Sequence, residues 1–239
     1  MKKKLISVLL ICAAAIVAFS FSACSGLKSL DVVGKESITS FSALLDAVGD
    51  KVTPDDTNGG WSLSAPDDTA RFIWSKDYGK SPLHDVMLEL DAQPFIGAGL
   101  DTSKLPDNIV FYEGDTMGGM GSKMLMVGTK LGNDELKYSG NPTPLASYEQ
   151  IVSKYRDVIS YHAALDHYGV NLGDGNLFEW AKDMSKNDKD IVFVLNPQAF
   201  IDAGVNVNAV EGWAFAKVPV DVDGKPAEVD KLLKPFDLK

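Results

Sequence analysis

The amino-acid sequence predicts an α+β fold made of two tandem copies of one domain, each a helix followed by an antiparallel sheet. Three observations support this prediction. A 17-residue segment occurs twice, and a shorter aromatic segment precedes it at almost the same distance in both halves. Helical and strand patterns also follow in the same order in each half. Two such copies are expected to pack about a pseudo-twofold axis.

The longer repeated segment aligns residues 85–101 with residues 190–206. Seven of the 17 positions are identical and six more carry conservative replacements, whereas unrelated segments of this length match at about one position. Upstream, FIWSKD at Phe72–Asp77 aligns with FEWAKD at Phe178–Asp183. These matches divide the chain into two repeats, 38–140 and 141–239.

Each repeat is expected to begin with a helix, because apolar residues recur at helical spacing over 38–49 and over 147–165. Short segments of strand type follow, separated by turn-forming Gly, Pro and Asp residues. The predicted strands are 61–65, 71–77, 85–90, 108–113 and 123–131 in the first repeat, and 168–172, 176–183, 190–195 and 213–218 in the second.

The N-terminal segment has the parts of an export signal. Three lysines at positions 2–4 precede an apolar run over 5–21, which ends in Phe-Ser-Ala-Cys at Phe21–Cys24. This ending resembles the lipobox of bacterial lipoproteins. The resemblance implies that residues 1–23 are removed, that Cys24 carries the lipid anchor, and that residues 24–37 form a tether outside the cytoplasm. An uncleaved membrane-spanning helix and an ordinary secretory signal are the alternatives.

The composition of the mature chain narrows the possible partners. Removal of residues 1–23 takes away three lysines and no acids, so the net charge changes from −10 to −13. Such an acidic protein repels nucleic acid, which is not expected as a partner. Cys12 leaves with the signal and Cys24 is the lipid site, so the folded part has no cysteine for disulfides or thiolate chemistry.

The longer repeated segment is interpreted as structural. Asp91 and Asn196 stand where a helix N-cap belongs. Gly99 and Gly204 stand where a helix ends in a left-handed residue. The segment therefore predicts a short capped helix in each repeat rather than a binding site.

The repeated aromatic segment allows two interpretations. On a strand, Trp74 and Lys76 share one face, as do Trp180 and Lys182. The simpler interpretation is that the aromatic rings are core and the lysine stems pack beside them. The alternative is that the two tryptophans and two lysines line a ligand-binding groove shared by the repeats.

Two further groups of residues contain side chains that can bind metal ions. Met117, Met120, Met124 and Met126 form a thioether cluster suited to Cu(I), although methionine is also a common core filler. His162 and His167 lie five residues apart, which on a helix would turn them to different faces, so a shared site is not predicted. No cofactor is predicted apart from this copper alternative.

The sequence contains no recognisable catalytic motif and no candidate catalytic residue. The leading hypothesis is a non-catalytic binding or interaction module at the cell envelope, with an unknown small ligand between the repeats or an envelope protein as partner. The alternatives are a cell-envelope enzyme with an active site between the repeats and a copper-handling protein.

Overall fold

The structure is a computed structural model that describes residues 29–55, 59–75, 85–114, 121–129, 131, 142–184, 189–222 and 225–238. It is a mixed α+β protein with two six-stranded sheets. All strand pairs within the two sheets are antiparallel. The signal, Cys24, Lys76, Met117 and Met120 lie outside the described residues.

The first half forms one sheet, with strand order β1-β2-β3-β4-β6-β5. A 3-10 turn follows its helix, and a second precedes β5. Its elements are α1 (Leu30–Val48), β1 (Val52–Asp55), β2 (Gly60–Ser64), β3 (Ala70–Ser75), β4 (Val86–Asp91), α2 (Gln93–Gly97), β5 (Ile109–Glu113) and β6 (Lys123–Thr129).

The second half repeats this arrangement. Its sheet has the order β7-β8-β9-β10-β12-β11, in which each strand takes the place of the first-half strand six numbers lower. Its elements are α3 (Pro144–Lys154), β7 (Ile159–His162), β8 (His167–Asn171), β9 (Leu177–Ala181), β10 (Ile191–Leu195), α4 (Gln198–Asp202), β11 (Ala214–Val222) and β12 (Lys225–Phe236).

The boundaries of the helices differ from those that the apolar spacing predicted. Helix α1 begins at Leu30 rather than near residue 38, with Ser29 as its N-cap. Helix α3 ends at Lys154, and the rest of the predicted helix becomes a 3-10 turn and strand β7. Ile159 and Tyr161 in β7 are residue types that favour strands. Strands β1, β7 and β12 were not predicted.

Each long helix contacts the sheet of the other half. Helix α1 lies against β7, β8 and β9, and helix α3 lies against β3 and α1. In α1, Ser40 Oγ accepts a hydrogen bond from Trp180 Nε1 at 3.1 Å and donates to the carbonyl of Ala181 at 3.3 Å. In α3, Ser147 Oγ donates to the carbonyl of Ser75 at 2.9 Å. These contacts tie each helix to β9 or β3 of the opposite sheet.

The two sheets share one hydrophobic core. Phe72 and Phe178, at equivalent positions of the repeats, stack with centroids 4.5 Å apart and ring planes 4° apart. Phe95 and Phe200 are also equivalent and lie 4.9 Å apart. Phe41 of α1 contacts aromatic rings from both halves. Because buried aromatic pairs contribute beyond their buried area, this core stabilises both halves together.

The longer repeated segment forms a short helix in each half, but the predicted N-cap residues Asp91 and Asn196 lie one residue before the N-cap positions, which are Ala92 and Pro197. Asp91 Oδ1 accepts from the backbone N–H of Gln93 at 3.0 Å, and Asn196 Oδ1 accepts from that of Gln198 at 3.1 Å. Each side chain stands one residue before the formal N-cap and forms a turn that leads into the helix. Both helices therefore start with the same side-chain contact.

The segments after the two short helices meet. The N–H of Asp101 donates to the carbonyl of Ala203, and the N–H of Asn206 donates to that of Ala98, both at 2.8 Å. Asp101 aligns with Asn206, and Ala98 aligns with Ala203, so the two hydrogen bonds are reciprocal. Gly99 and Gly204 have φ of 104° and 90° and face each other at this contact.

Among the described residues, no helix is both long enough and apolar enough to span a membrane.

Candidate functional site

The two repeated tryptophans lie in the core. Trp74 and Trp180 are fully buried, and their indole N–H groups donate to the Pro144 carbonyl and to Ser40 Oγ. Rings of Phe41 and Tyr148 pack around them. This placement agrees with the simpler of the two interpretations, in which both tryptophans are core residues.

One of the two predicted lysine partners, Lys182, is described by the structure. Lys182 is partly exposed, with its Nζ 3.9 Å from Glu36 Oε2, and Lys76 lies outside the described residues. The predicted contact region between the repeats is occupied by stacked aromatic side chains such as Phe72 and Phe178. A ligand between the repeats would have to displace this packing.

Two of the four methionines are described. Met124 and Met126 lie on β6, where they pair with Asp91 and Glu89 of β4, and Met124 is buried. Among the described residues, no group of three or more His, Cys, Asp or Glu side chains could hold a metal ion. The Cu(I) site stays a prediction, which titration of the Met124→Leu variant with Cu(I) would test.

A pocket lies on the face of the second sheet that points away from the shared core, called here the outer face. The pocket has a volume of about 540 Å³. Leu177, Val192, Val194 and Leu233 form an apolar cluster on this face and line the pocket. A cavity of this size and lining is typical of small-molecule sites.

A long hairpin covers the pocket. Strands β11 and β12 have nine and 12 residues, whereas the equivalent β5 and β6 have five and seven. Only Leu232–Phe236 of β12 pairs with β10, so the hairpin continues past the sheet. It reaches the opposite sheet edge, where the carbonyl of Pro219 lies 3.3 Å from His162 Nε2 in β7. Val218 and Val220 of the hairpin line the pocket.

Sheet register brings three titratable side chains together in the pocket. His162 and His167 are directly opposite each other across β7 and β8, so they share a face, contrary to the prediction that placed them on different faces of a helix. Glu179 pairs with Gly169, two residues beyond His167, and therefore lies on the same face. All three side chains are buried and line the pocket.

Glu179 is the most informative residue of the site. It is only 2 % exposed, and its Oε1 atom has no hydrogen-bond partner among the residues that the structure describes. His162 Nδ1 lies 3.5 Å from this oxygen. Because an acceptor without a donor costs free energy when it is buried, the pocket holds an oxygen that a donor from outside the chain would stabilise.

Lys231 is the buried cation of the pocket. Its Nζ donates to the carbonyl of Gly175 at 2.5 Å. Burial lowers the pKa of Lys231 to about 8, while the nearby charge of Glu179 acts in the opposite direction. A lysine in this position can change its protonation state close to physiological pH.

The rim carries two more charged residues. Lys189 pairs with Asp237 at 2.6 Å, so its charge is offset by a residue outside the pocket. Asp166 accepts a hydrogen bond from Tyr161 at 2.6 Å, and this bond and burial raise the pKa of Tyr161 to about 12, with burial the larger cause. Asp166 therefore adds a negative charge at the pocket mouth.

The first half has different residues at the equivalent positions. Ile73 takes the place of Glu179. Arg71 and Glu89, which form a buried ion pair at 3.6 Å, replace Leu177 and Val194. The apolar floor and its carboxylate therefore belong to the second half. Comparing where the repeats differ, rather than where they agree, would have pointed to Glu179.

Comparisons with protein-family models, with curated proteins and with solved structures find no significant match for this chain.

Proposed function

We propose that this protein is a membrane-anchored extracytoplasmic lipoprotein whose folded part is a non-catalytic binding module for a small molecule. The observation that carries the binding proposal is the pocket of about 540 Å³ into which the buried Glu179 carboxylate projects. The site lies on the outer face of the second sheet, under the β11–β12 hairpin.

The character of the lining supports binding of a molecule with a large apolar part. Valine and leucine side chains from β9, β10, β11 and β12 line the cavity, together with polar and charged side chains that include Glu179 and His162. Ligand sites typically combine an apolar wall with a few placed polar groups that orient the ligand.

We also propose that the two halves are related by a pseudo-twofold axis. Support comes from the identical strand order, from the stacking of Phe72 on Phe178 and from the reciprocal hydrogen bonds of Asp101 and Asn206. In this arrangement the repeated residues build the shared core. The outer faces are then free to diverge, and the outer face of the second sheet carries the pocket.

The membrane anchor rests on the lipobox resemblance at Phe21–Cys24. In a bacterial host, the Cys24→Ser variant is expected to lose lipid attachment and to leave the membrane fraction after export. Equal membrane retention of this variant and the wild type would contradict a lipid anchor on Cys24.

The binding proposal is tested by native mass spectrometry of the full chain, purified from membranes in mild detergent without added ligand. Ala163 lines the pocket, so Ala163→Trp is expected to fill it and to abolish any bound mass. Ala214, an exposed residue of β11 outside the pocket, provides the matched Ala214→Trp control, which should keep that mass. No bound mass in any of the three proteins, or equal mass in all three, would contradict the proposal.

An enzyme acting in the same pocket is the second candidate. The supporting observation is that burial lowers the pKa of Lys231 to about 8 in a pocket that also holds His162 and Glu179. Groups that titrate near neutral pH are suited to proton transfer. The recovered ligand distinguishes the candidates, because an enzyme would convert it on incubation and a binding module would release it unchanged.

A further inference from the structure

We propose that the ligand of this pocket carries a protonated amine head on an apolar body, and that Glu179 receives the amine. This inference rests on the proposed binding function and names the class of molecule that the site takes. It is carried by the geometry around Glu179 Oε1.

The first argument is the need for a donor. Glu179 is held on the central strand β9, between β8 and β10, where its side chain is 2 % exposed. Its Oε1 accepts no hydrogen bond from the described residues. Within the pocket, a ligand N–H group could donate to this oxygen, and a charge-assisted hydrogen bond of this kind is about twice as strong as a neutral one.

The second argument is the orientation of His162. Its Nε2 faces the carbonyl of Pro219, and a carbonyl oxygen can only accept, so Nε2 carries the proton in that contact. Its Nδ1 lies 3.5 Å from Glu179 Oε1. The imidazole and the carboxylate therefore form one polar end of the pocket, and an ammonium group has several N–H donors for the carboxylate oxygen.

The third argument is the balance of charge. The ammonium of Lys231 is directed to the carbonyl of Gly175 and offsets the charge of Glu179 without donating to its Oε1. Lys189 is paired with Asp237. Asp166 is a second carboxylate in the lining, and carboxylates favour a cationic head over an anionic one.

The apolar body is placed by the same geometry. Leu177, Val192, Val194 and Leu233 lie on the sheet side, and Val218 and Val220 lie on the hairpin side. A linear or compact hydrocarbon bound between these two walls would be removed from contact with water. Each methylene buried in this way contributes about 0.8 kcal/mol to the free energy of binding.

The test is isothermal titration of the full chain with three probes that share one apolar body, namely octylammonium, 1-octanol and octanoate. We expect octylammonium to bind at least about tenfold more tightly than either other probe. In the Glu179→Gln variant, the affinity for octylammonium should fall about 10- to 100-fold, as expected for loss of a charged hydrogen bond. The affinity for octanol should change less than about threefold.

Two controls separate failure of this inference from failure of the binding proposal. Asp230 lies on the same hairpin, and its carboxylate pairs with Lys217 at 3.0 Å outside the pocket. The Asp230→Asn variant should therefore leave all three affinities unchanged. Ala163→Trp should abolish binding of every probe. Octanol or octanoate binding as tightly as octylammonium, or equal octylammonium affinity in wild type and Glu179→Gln, would overturn the amine inference alone. No binding of any probe to the wild type would overturn both proposals.

Discussion

The rings of Phe72 and Phe178 lie nearly parallel, with a 4° angle between their planes and 4.5 Å between their centroids. Each residue belongs to a different half of the chain, yet the two occupy equivalent positions in the repeated sequence. This contact places the centre of the core at the boundary between the halves. The halves are therefore expected to unfold as one unit.

Truncation of one of these rings tests that expectation. Phe178→Ala should lower the free energy of unfolding by about 3–5 kcal/mol, because it removes a fully buried ring and leaves a cavity. Urea unfolding followed by tryptophan fluorescence and by circular dichroism should still show one shared transition. Tyr112→Ala, at a partly exposed position, is the control and should cost less than about 1 kcal/mol. Separate transitions for the two probes would contradict unfolding of the halves as one unit.

The glycine contact between the halves gives a second prediction. A Cβ at Gly204 would meet the carbonyl oxygen of Gly99 at 3.2 Å, and its φ of 90° is strained for any other residue. Gly204→Ala should therefore lower the free energy of unfolding by more than about 1 kcal/mol. The midpoint temperature of thermal unfolding should fall accordingly. Gly97, which has open space at its Cβ position, is the matched control. A Gly204→Ala midpoint equal to that of Gly97→Ala would contradict the close approach at this position.

The contact of helix α1 with the second sheet gives a third prediction. Ser40→Ala leaves the buried indole N–H of Trp180 without its acceptor, which should cost about 1–3 kcal/mol of unfolding free energy. Thr39, the exposed neighbour on the same helix, supplies the control variant Thr39→Ala, whose effect should stay within about 0.5 kcal/mol. Equal denaturation midpoints for the two variants would argue against the packing of α1 on β9.

The buried lysine predicts a pH dependence of stability. Burial lowers the pKa of Lys231 from 10.5 to about 8, so between these values the unfolded chain binds more protons than the folded one. The free energy of unfolding of the wild type should therefore rise with pH across this range, by up to about 3 kcal/mol relative to Lys231→Met. Below pH 8 the full cost of burying the ammonium applies, and Lys231→Met should be the more stable protein.

Urea unfolding at pH 7.5 and at pH 10 would measure this difference. Lys217, an exposed lysine on β11 paired with Asp230, provides the control variant Lys217→Met, which should show little change between the two pH values. A pH-independent difference between the wild type and Lys231→Met would mean that the Lys231 amine is not held in an apolar environment.

Much of the fold could be predicted because the two repeats share one order of helices and strands, so each half supports the prediction made for the other. The hairpins, the third strand and the short helix of each half lie close to their predicted positions. Strand β12 escaped prediction because Pro226 and Pro235 and several charged residues lie within it, and such residues normally argue against a strand. The packing of each long helix on the sheet of the other half could not be predicted either. Apolar spacing shows that one face of a helix is buried, but it does not show which sheet covers that face.

The candidate site could not be predicted for a related reason. Sequence reasoning selected residues that the repeats share, and these build the core, as Trp74 and Trp180 illustrate. Glu179 stands where the first repeat has Ile73, so the site lies where the repeats differ. Helical spacing would place His162 and His167 on different faces, whereas the β7–β8 hairpin places them side by side.

Imidazole nuclear magnetic resonance of the full chain during titration with octylammonium tests the binding pocket most directly. The chain has only three histidines, and two of them, His162 and His167, line the pocket. We predict that the resonances of these two rings shift and saturate together, and that Ala163→Trp abolishes the shifts. Saturating binding that leaves both rings unperturbed, or shifts that persist in Ala163→Trp, would contradict a binding site under the β11–β12 hairpin.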